Sequence, residues 1–223
     1  MLHLGRMILE LILVALGAYL IGSIPFGLLL TKAAGLGDIR TIGSGNIGAT
    51  NVLRTGNKKL AALTLFLDGL KGWVAVFFVI DLLAFSQAVA DSSEAPLPSA
   101  SPAIAMLAVV LGHCFPIWLK FKGGKGVATT FGSWIGLNPV FGLFALVLWL
   151  LTAVISRRSS LAALTSIALS AITFTFFEFN IPERVSYPLI SAIWIVSVLV
   201  FIRHHENIKR LLAGTEPKIG QKK

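Results

Sequence analysis

The sequence predicts an all-α integral membrane protein of seven transmembrane helices, with the N-terminus outside and the C-terminus cytoplasmic. Three observations predict it: an apolar excess too large for a soluble core, apolar runs of spanning length, and Lys and Arg gathered into the loops of one face. Hydrophobic residues make up 56% of the 223 residues and charged ones 13%, and the mean hydropathy is +0.84. A soluble domain of this size has nowhere to bury so much apolar surface. The net charge of +9 would suit nucleic acid, but the basic residues alternate with apolar runs instead of collecting on one polar face. Nucleic acid is therefore excluded as a partner, and the lipid bilayer takes its place. Residues 1–223 are expected to form a single multi-pass domain.

Backbone polar groups inside lipid must be satisfied within their own segment, so each long apolar run reads as a helix. The first, residues 7–30, follows Arg6 as a signal-peptide core would. It exceeds the roughly 7 to 15 apolar residues of such a core and approaches the about 20 needed to span hydrocarbon. A bend is expected near Pro25, which lacks an amide hydrogen. Residues 60–85 and 102–119 follow as the second and third helices. Val127–Leu137, with Gly132 and Gly136 inside it, is short for a crossing and reads as a seventh helix or a re-entrant segment. The remaining helices are expected at 139–155, 161–177 and 185–202.

Seven crossings sort the charges. With the N-terminus outside, one face receives Lys32, Arg40, Arg54, Lys58, Lys59, Lys120, Lys122, Lys125, Arg157, Arg158 and the tail from Arg203, leaving Arg6 and Arg184 opposite. Short-loop Lys and Arg set orientation, so the basic face is cytoplasmic. The far face holds Asp91, Glu94, Glu178, Glu183 and a Ser-, Ala- and Pro-rich loop at 86–101. The single cysteine, Cys114, ends an apolar run and reads as a small buried residue. No internal repeat of the transporter kind is visible.

Three polar islands fall on the basic face. Residues 37–54 contain four glycines interleaved with Ser, Thr and Asn and end on Arg54, so they fail as a spanning helix. Glycines permit unusual backbone angles with outward amides, and a guanidinium supplies a planar cation; together these suit a phosphate. Gly43, Gly45, Asn46 and Asn51 are the candidate binding groups there. The alternative is a flexible loop. Just beyond, Asp68 and Lys71 lie one turn apart in the second helix, as an internal ion pair or as support for the site.

The second island, residues 120–126, sets Gly123, Gly124 and Gly126 around Lys125. It lacks P-loop spacing, which disfavours nucleotide. It reads either as a phosphate cradle or as a basic turn that only fixes topology. His113, preceding it, is taken as a packing residue. The third island, residues 203–210, has His204 and His205 adjacent, about 100° apart on a helix and unable to grip one metal together. No metal and no cofactor is expected. His204 and Asn207 share a face, where an imidazole and an amide can meet one substrate.

Together the islands resemble the bacterial acyl-phosphate:glycerol-3-phosphate acyltransferases, the PlsY family, over nearly the whole chain. The resemblance lies in Ser44-Gly45-Asn46-x-Gly48-Ala49-x-Asn51-x-x-Arg54, in Lys122-Gly123-Gly124-Lys125-Gly126 and in His204-x-Glu206-Asn207. The first motif is long and specific. The resemblance implies seven helices in the bacterial inner membrane, catalysis at the cytoplasmic face, and acyl phosphate and glycerol 3-phosphate as substrates. It also implies lysophosphatidic acid and phosphate as products, Ser44, Arg54, Lys125, His204 and Asn207 as the functional set, and Glu206 as a structural partner.

Two substrate anions held together, with the carbonyl's developing charge stabilised, would suffice for such chemistry. His204, a substrate phosphate or another group would accept the hydroxyl proton; a covalent role for Ser44 ranks lower, because no Asp–His relay stands beside it. Acyltransferases that use acyl-CoA or acyl carrier protein are marked by His followed five positions later by Asp, a spacing none of the four histidines shows. A transporter needs polar residues through the membrane, whereas here they crowd one face.

Overall fold

A computed structural model describes residues 2–89, 99–181 and 185–221. Asp91, Glu94, Glu183, Arg184 and most of the loop 86–101 lie outside the described residues. Among the described residues the chain is helical, with ten α-helices: α1 Leu2–Gly22, α2 Phe26–Ala33, α3 Ala49–Val52, α4 Lys58–Val89, α5 Ser101–Cys114, α6 Val127–Leu137, α7 Pro139–Ser156, α8 Ser159–Asn180, α9 Tyr187–Arg203 and α10 His205–Leu212. Five spans are long and apolar enough to cross a membrane: Leu4–Ala33, Lys58–Ser86, Ser101–Leu119, Pro139–Ser156 and Ser159–Asn180. A sixth is added if α9 and α10, bent by 62° at His204, are taken together. The eleven residues of α6 rise about 16 Å, half of a hydrocarbon core of about 30 Å.

The expected bend near Pro25 is a full break. Ser23–Pro25 separates α1 from α2, and Pro25 caps the second helix without an amide of its own. Leu4, Leu9, Leu13 and Leu16 stay exposed along α1, as a lipid-facing surface requires. The buried face is built on close backbone contact instead of large side chains. A methyl at Gly22 would strike the Val109 carbonyl, and one at Gly112 would strike Tyr19, so α1 and α5 meet backbone to backbone. In the same way α4 and α6 meet at Gly72 against Thr129 and at Gly132 against Gly69, with Thr129 Oγ1 donating to the Asp68 carbonyl at 2.9 Å.

Met106, Val109, Trp134, Ile167, Ile193 and Val200 fill the centre between these pairs. A second, smaller cluster of Leu28, Ile39, Ile47, Val52 and Ala61 packs beneath the first glycine loop. It anchors an otherwise polar segment to α2 and α4, and so fixes that segment against the helix ends where the site forms.

Candidate active site

The first loop is organised by one side chain. Asn51 is buried, and its Nδ2 donates to the carbonyls of Ile39, Ile42 and Asn46 at 2.8 to 2.9 Å. Its Oδ1 accepts from the Ser44 amide at 3.1 Å, from Ser44 Oγ at 3.3 Å and from Arg54 Nη1 at 3.3 Å. The amide is fully occupied by the protein, so Asn51, which also lines the cavity, is a clasp that holds the loop shut. Gly43 and Gly45, at φ +56 and +68, let the chain turn around this clasp. Both lie off the cavity wall, and the Gly45 amide donates to the Ile42 carbonyl, so in this structure the two glycines shape the loop. Asn46 does reach the cavity, with Oδ1 held by the Gly48 amide at 2.8 Å. Arg40 is ion-paired with Asp38 at 2.6 Å.

The second island is built differently. The Gly123 amide donates to the Cys114 carbonyl and the Gly124 amide to the His113 carbonyl, while Arg203 Nη2 and Nε donate back to the Gly123 and Gly124 carbonyls. Both glycine amides are thus taken within a packed turn, and neither glycine lines the cavity. Gly124 is glycine because the His113 ring lies where a Cβ would go. His113, set aside from the sequence as packing, lines the cavity at 3.6 Å from Asp68. Lys125 and Gly126 are the part of this turn that reaches the cavity.

Asp68 and Lys71 pair at 3.1 Å, both buried, and Lys71 Nζ also donates to the Ile24 carbonyl at 2.9 Å. This ties α4 to the break between α1 and α2. Asp68 lines the cavity and Lys71 stands behind it.

The third wall comes from the bend after α9. His204 caps α9 and precedes α10, and its Nδ1 sits 2.8 Å from the Val200 carbonyl. A carbonyl only accepts, so Nδ1 carries the hydrogen and the neutral ring keeps its lone pair on Nε2. Asn207, one turn on, accepts from Lys125 Nζ through Oδ1 and donates through Nδ2 to Glu216 Oε1. Glu206 is exposed and pairs with His205 at 3.2 Å and Lys209 at 3.3 Å, away from the cavity. The acid that supports the site is Glu216. Sequence reasoning missed it along with Ser160, since a lone acid nine positions past Asn207 gives no periodic signal.

Ser44, Arg54, Lys125, His204 and Asn207 line one cavity of about 630 Å³. Its wall runs on between α4, α6 and α7 past Phe66, Trp73, Phe131, Ile135, Leu146 and Trp149. Burial pushes the Lys125 ammonium down to about 8; Glu216 opposes the shift, and Arg210, Arg203 and Arg54 add to it. Burial works against the Glu216 carboxylate too, but hydrogen bonds from Ser160, Asn207 and Arg210 outweigh it and hold the group below the usual carboxylate range. A cation-rich end joined to an apolar slot can hold an anion beside a lipid chain.

Known proteins are similar to this chain along nearly all of its length. The glycerol-3-phosphate acyltransferase family matches residues 12–214. Glycerol-3-phosphate acyltransferases of Mesorhizobium japonicum and Agrobacterium fabrum are 53% and 49% identical to it, covering 95% of this chain in each case and 97% and 93% of their own lengths. Two crystal structures of PlsY (YgiH), an integral membrane glycerol 3-phosphate acyltransferase, are similar in fold. The glycerol 3-phosphate form has a TM-score of 0.79 at 34% identity, and the lysophosphatidic acid form 0.77 at 33%. Each comparison covers 93% of this chain and 94% of the other. With the motif side chains gathered at one cavity and these likenesses extending over nearly all its length, the chain belongs to the PlsY family of glycerol-3-phosphate acyltransferases.

Proposed function

We propose that this membrane acyltransferase moves a fatty acyl group from acyl phosphate to the 1-hydroxyl of sn-glycerol 3-phosphate. Lysophosphatidic acid and inorganic phosphate are released, and the step is the first acylation of phospholipid biosynthesis. One observation carries the reading: side chains from three distant segments, including Arg54, Lys125 and His204, meet at a cavity that also has an apolar wall. The PlsY structures in glycerol 3-phosphate and lysophosphatidic acid forms support both ends of it.

In this reading Arg54 and Lys125 bind the two phosphates, and Ser44 and Asn207 fix the glycerol or the carbonyl oxygen. Asp68 and Lys71 stiffen the wall behind them, and the acyl chain lies along Phe66, Trp73 and Ile135. The glycerol oxygen attacks the acyl carbon, the bond from that carbon to the phosphate oxygen breaks, and its electron pair leaves with phosphate. Phosphate is a good leaving group in a mixed anhydride, so juxtaposition and charge stabilisation supply most of the rate. The hydroxyl proton has two acceptors, His204 Nε2 and the leaving phosphate. His204→Gln keeps full turnover at saturating substrate if phosphate is the acceptor, and loses about 100-fold or more if the imidazole is.

In this reading the chain lies in the bacterial inner membrane with seven crossings, α6 being the short one, the N-terminus outside and the cavity's polar end at the cytoplasmic face. The support is that Arg54, Lys125 and His204 all come from the loops that the Lys and Arg count assigns to one side. Purified protein given acyl phosphate and labelled glycerol 3-phosphate, without CoA or carrier protein, is expected to yield labelled lysophosphatidic acid and one phosphate per turnover. Acylation only when acyl-CoA is supplied would overturn the donor assignment.

A further inference from the structure

We propose that Glu216, carried back to the cavity by the segment after α10, is a positioning residue. It fixes the Asn207 amide with its oxygen toward Lys125, and so sets the direction in which Lys125 offers its remaining N–H groups to a substrate phosphate. The inference rests on the reading of Lys125 as an anion-binding group.

The geometry is closed at each link. After α10 the chain reverses: the Thr215 and Glu216 amides donate to the Arg210 carbonyl at 2.8 and 3.1 Å, and the Ile219 amide donates to the Arg157 carbonyl at 2.6 Å. This strap lies over the start of α8 and buries the Glu216 side chain. Oε1 accepts from Ser160 Oγ and from Asn207 Nδ2, each at 2.6 Å, and Oε2 accepts from Arg210 Nε at 2.7 Å. A carboxylate can only accept, so the NH₂ of Asn207 must face it and Oδ1 must face away. Lys125 Nζ then finds Oδ1 and donates to it. A carboxamide left to itself turns either way round; the acid one step removed decides. Ser160 and Arg210 hold that acid in turn, so the order of command runs from α8 and the strap, through Asn207, to the cation.

The strap also places a negative charge where positive ones crowd. Lys125 is faced by Arg54 from the first loop, Arg203 from the end of α9, His204 from the bend that follows, Arg210 from α10, and Glu216 from the strap. Of the charges acting on it, Glu216 favours its ammonium form, against burial and the three arginines. Anion binding by Lys125 needs that form, so it is lost as pH rises through about 8. Removing the Glu216 charge moves the loss to lower pH.

The test uses the full chain in detergent and glycerol 3-phosphate binding by calorimetry, which needs no acyl donor, from about pH 6, where phosphate takes its second charge, to about pH 9. Glu216→Gln, whose amide accepts or donates and so tolerates either Asn207 orientation, is expected to weaken binding about tenfold at neutral pH. Its alkaline limb falls about one pH unit lower than in the unsubstituted chain. Glu216→Asp keeps the charge and loses reach, so it weakens binding while its alkaline limb stays with the unsubstituted chain. Equal affinity and equal limb in Glu216→Gln overturn the inference. So does a loss in both variants that follows their melting temperatures and leaves the limb unmoved, which marks a structural role only. An unsubstituted chain that binds no glycerol 3-phosphate overturns the functional reading and this inference with it.

Discussion

The loop at residues 37–56 and the turn at 120–126 are alike in composition, each mixing glycine with one cation that faces the cavity, yet they are built on opposite plans. In the first loop Gly43 and Gly45 take positive φ, so the chain can circle Asn51 and lay Ser44 and Arg54 along the wall. In the second, Gly123 and Gly124 have ordinary backbone angles and are small because His113, Cys114 and Pro116 stand against them. Gly43 and Gly45 supply conformation in one place and Gly123 and Gly124 clearance in the other, where only Gly126 among the turn's glycines takes positive φ. Substitution should therefore disturb positioning in the first loop and packing in the second.

The largest expected effect tests whether the packed turn matters only as a mount for its cation. Lys125→Met keeps the apolar stem and removes the charge; turnover with both substrates is expected to fall about 10³-fold at an unchanged melting temperature. A loss smaller than tenfold would leave the turn without a catalytic purpose. Next is Gly124→Ala, whose methyl would collide with the buried His113 ring. Overpacking of this kind costs about 3 kcal/mol, and thermal unfolding in detergent should show it, with activity falling in step with the folded fraction. Gly43→Ala is milder for the fold and harder on the ligand. At φ +56 its Cβ would sit 2.6 Å from Asn51 Oδ1 and from Arg54 Cδ. The backbone strain is about 1 to 2 kcal/mol, while displacement of Arg54 should raise KM for glycerol 3-phosphate about tenfold. If Gly124→Ala changed only KM and Gly43→Ala only the melting temperature, the two plans would be the wrong way round. Smallest of all is Glu206→Ala: exposed and off the cavity, it should leave turnover and melting temperature where they are.

Much of this was legible in the sequence because lipid allows the backbone so few options. Apolar run length alone places the helices, down to the same Val127–Leu137 bounds for α6, and the glycine, amide and basic islands contain Ser44, Asn46, Arg54, Lys125, His204 and Asn207, which line the cavity. Long-range placement was not legible. Nothing in Gly214-Thr215-Glu216-Pro217 announces that the chain turns back, so the nearer acid, Glu206, drew the attention that belonged to Glu216. Motif membership also hid a division of labour: Asn51 and Gly124 sit among cavity-facing residues yet hold those residues in place. His113 packs as expected, but its place beside the cavity is not legible because its neighbours Asp68 and Gly124 come from other segments.

The contact between α4 and α6 has a mechanical consequence. Where Gly69 meets Gly132 and Gly72 meets Thr129 there is no side chain between the backbones to slide or re-pack, so these two helices behave as a single plank. Gly142 pressed against Ile135 bolts the start of α7 to the same plank. The opposite jaw is fastened by Asn207, Glu216 and Arg158 through hydrogen bonds, and it hangs from a 62° elbow at His204. Lys125, just ahead of α6 on the plank side, reaches across to Asn207 of α10 and is the cation that spans the two halves of the mouth.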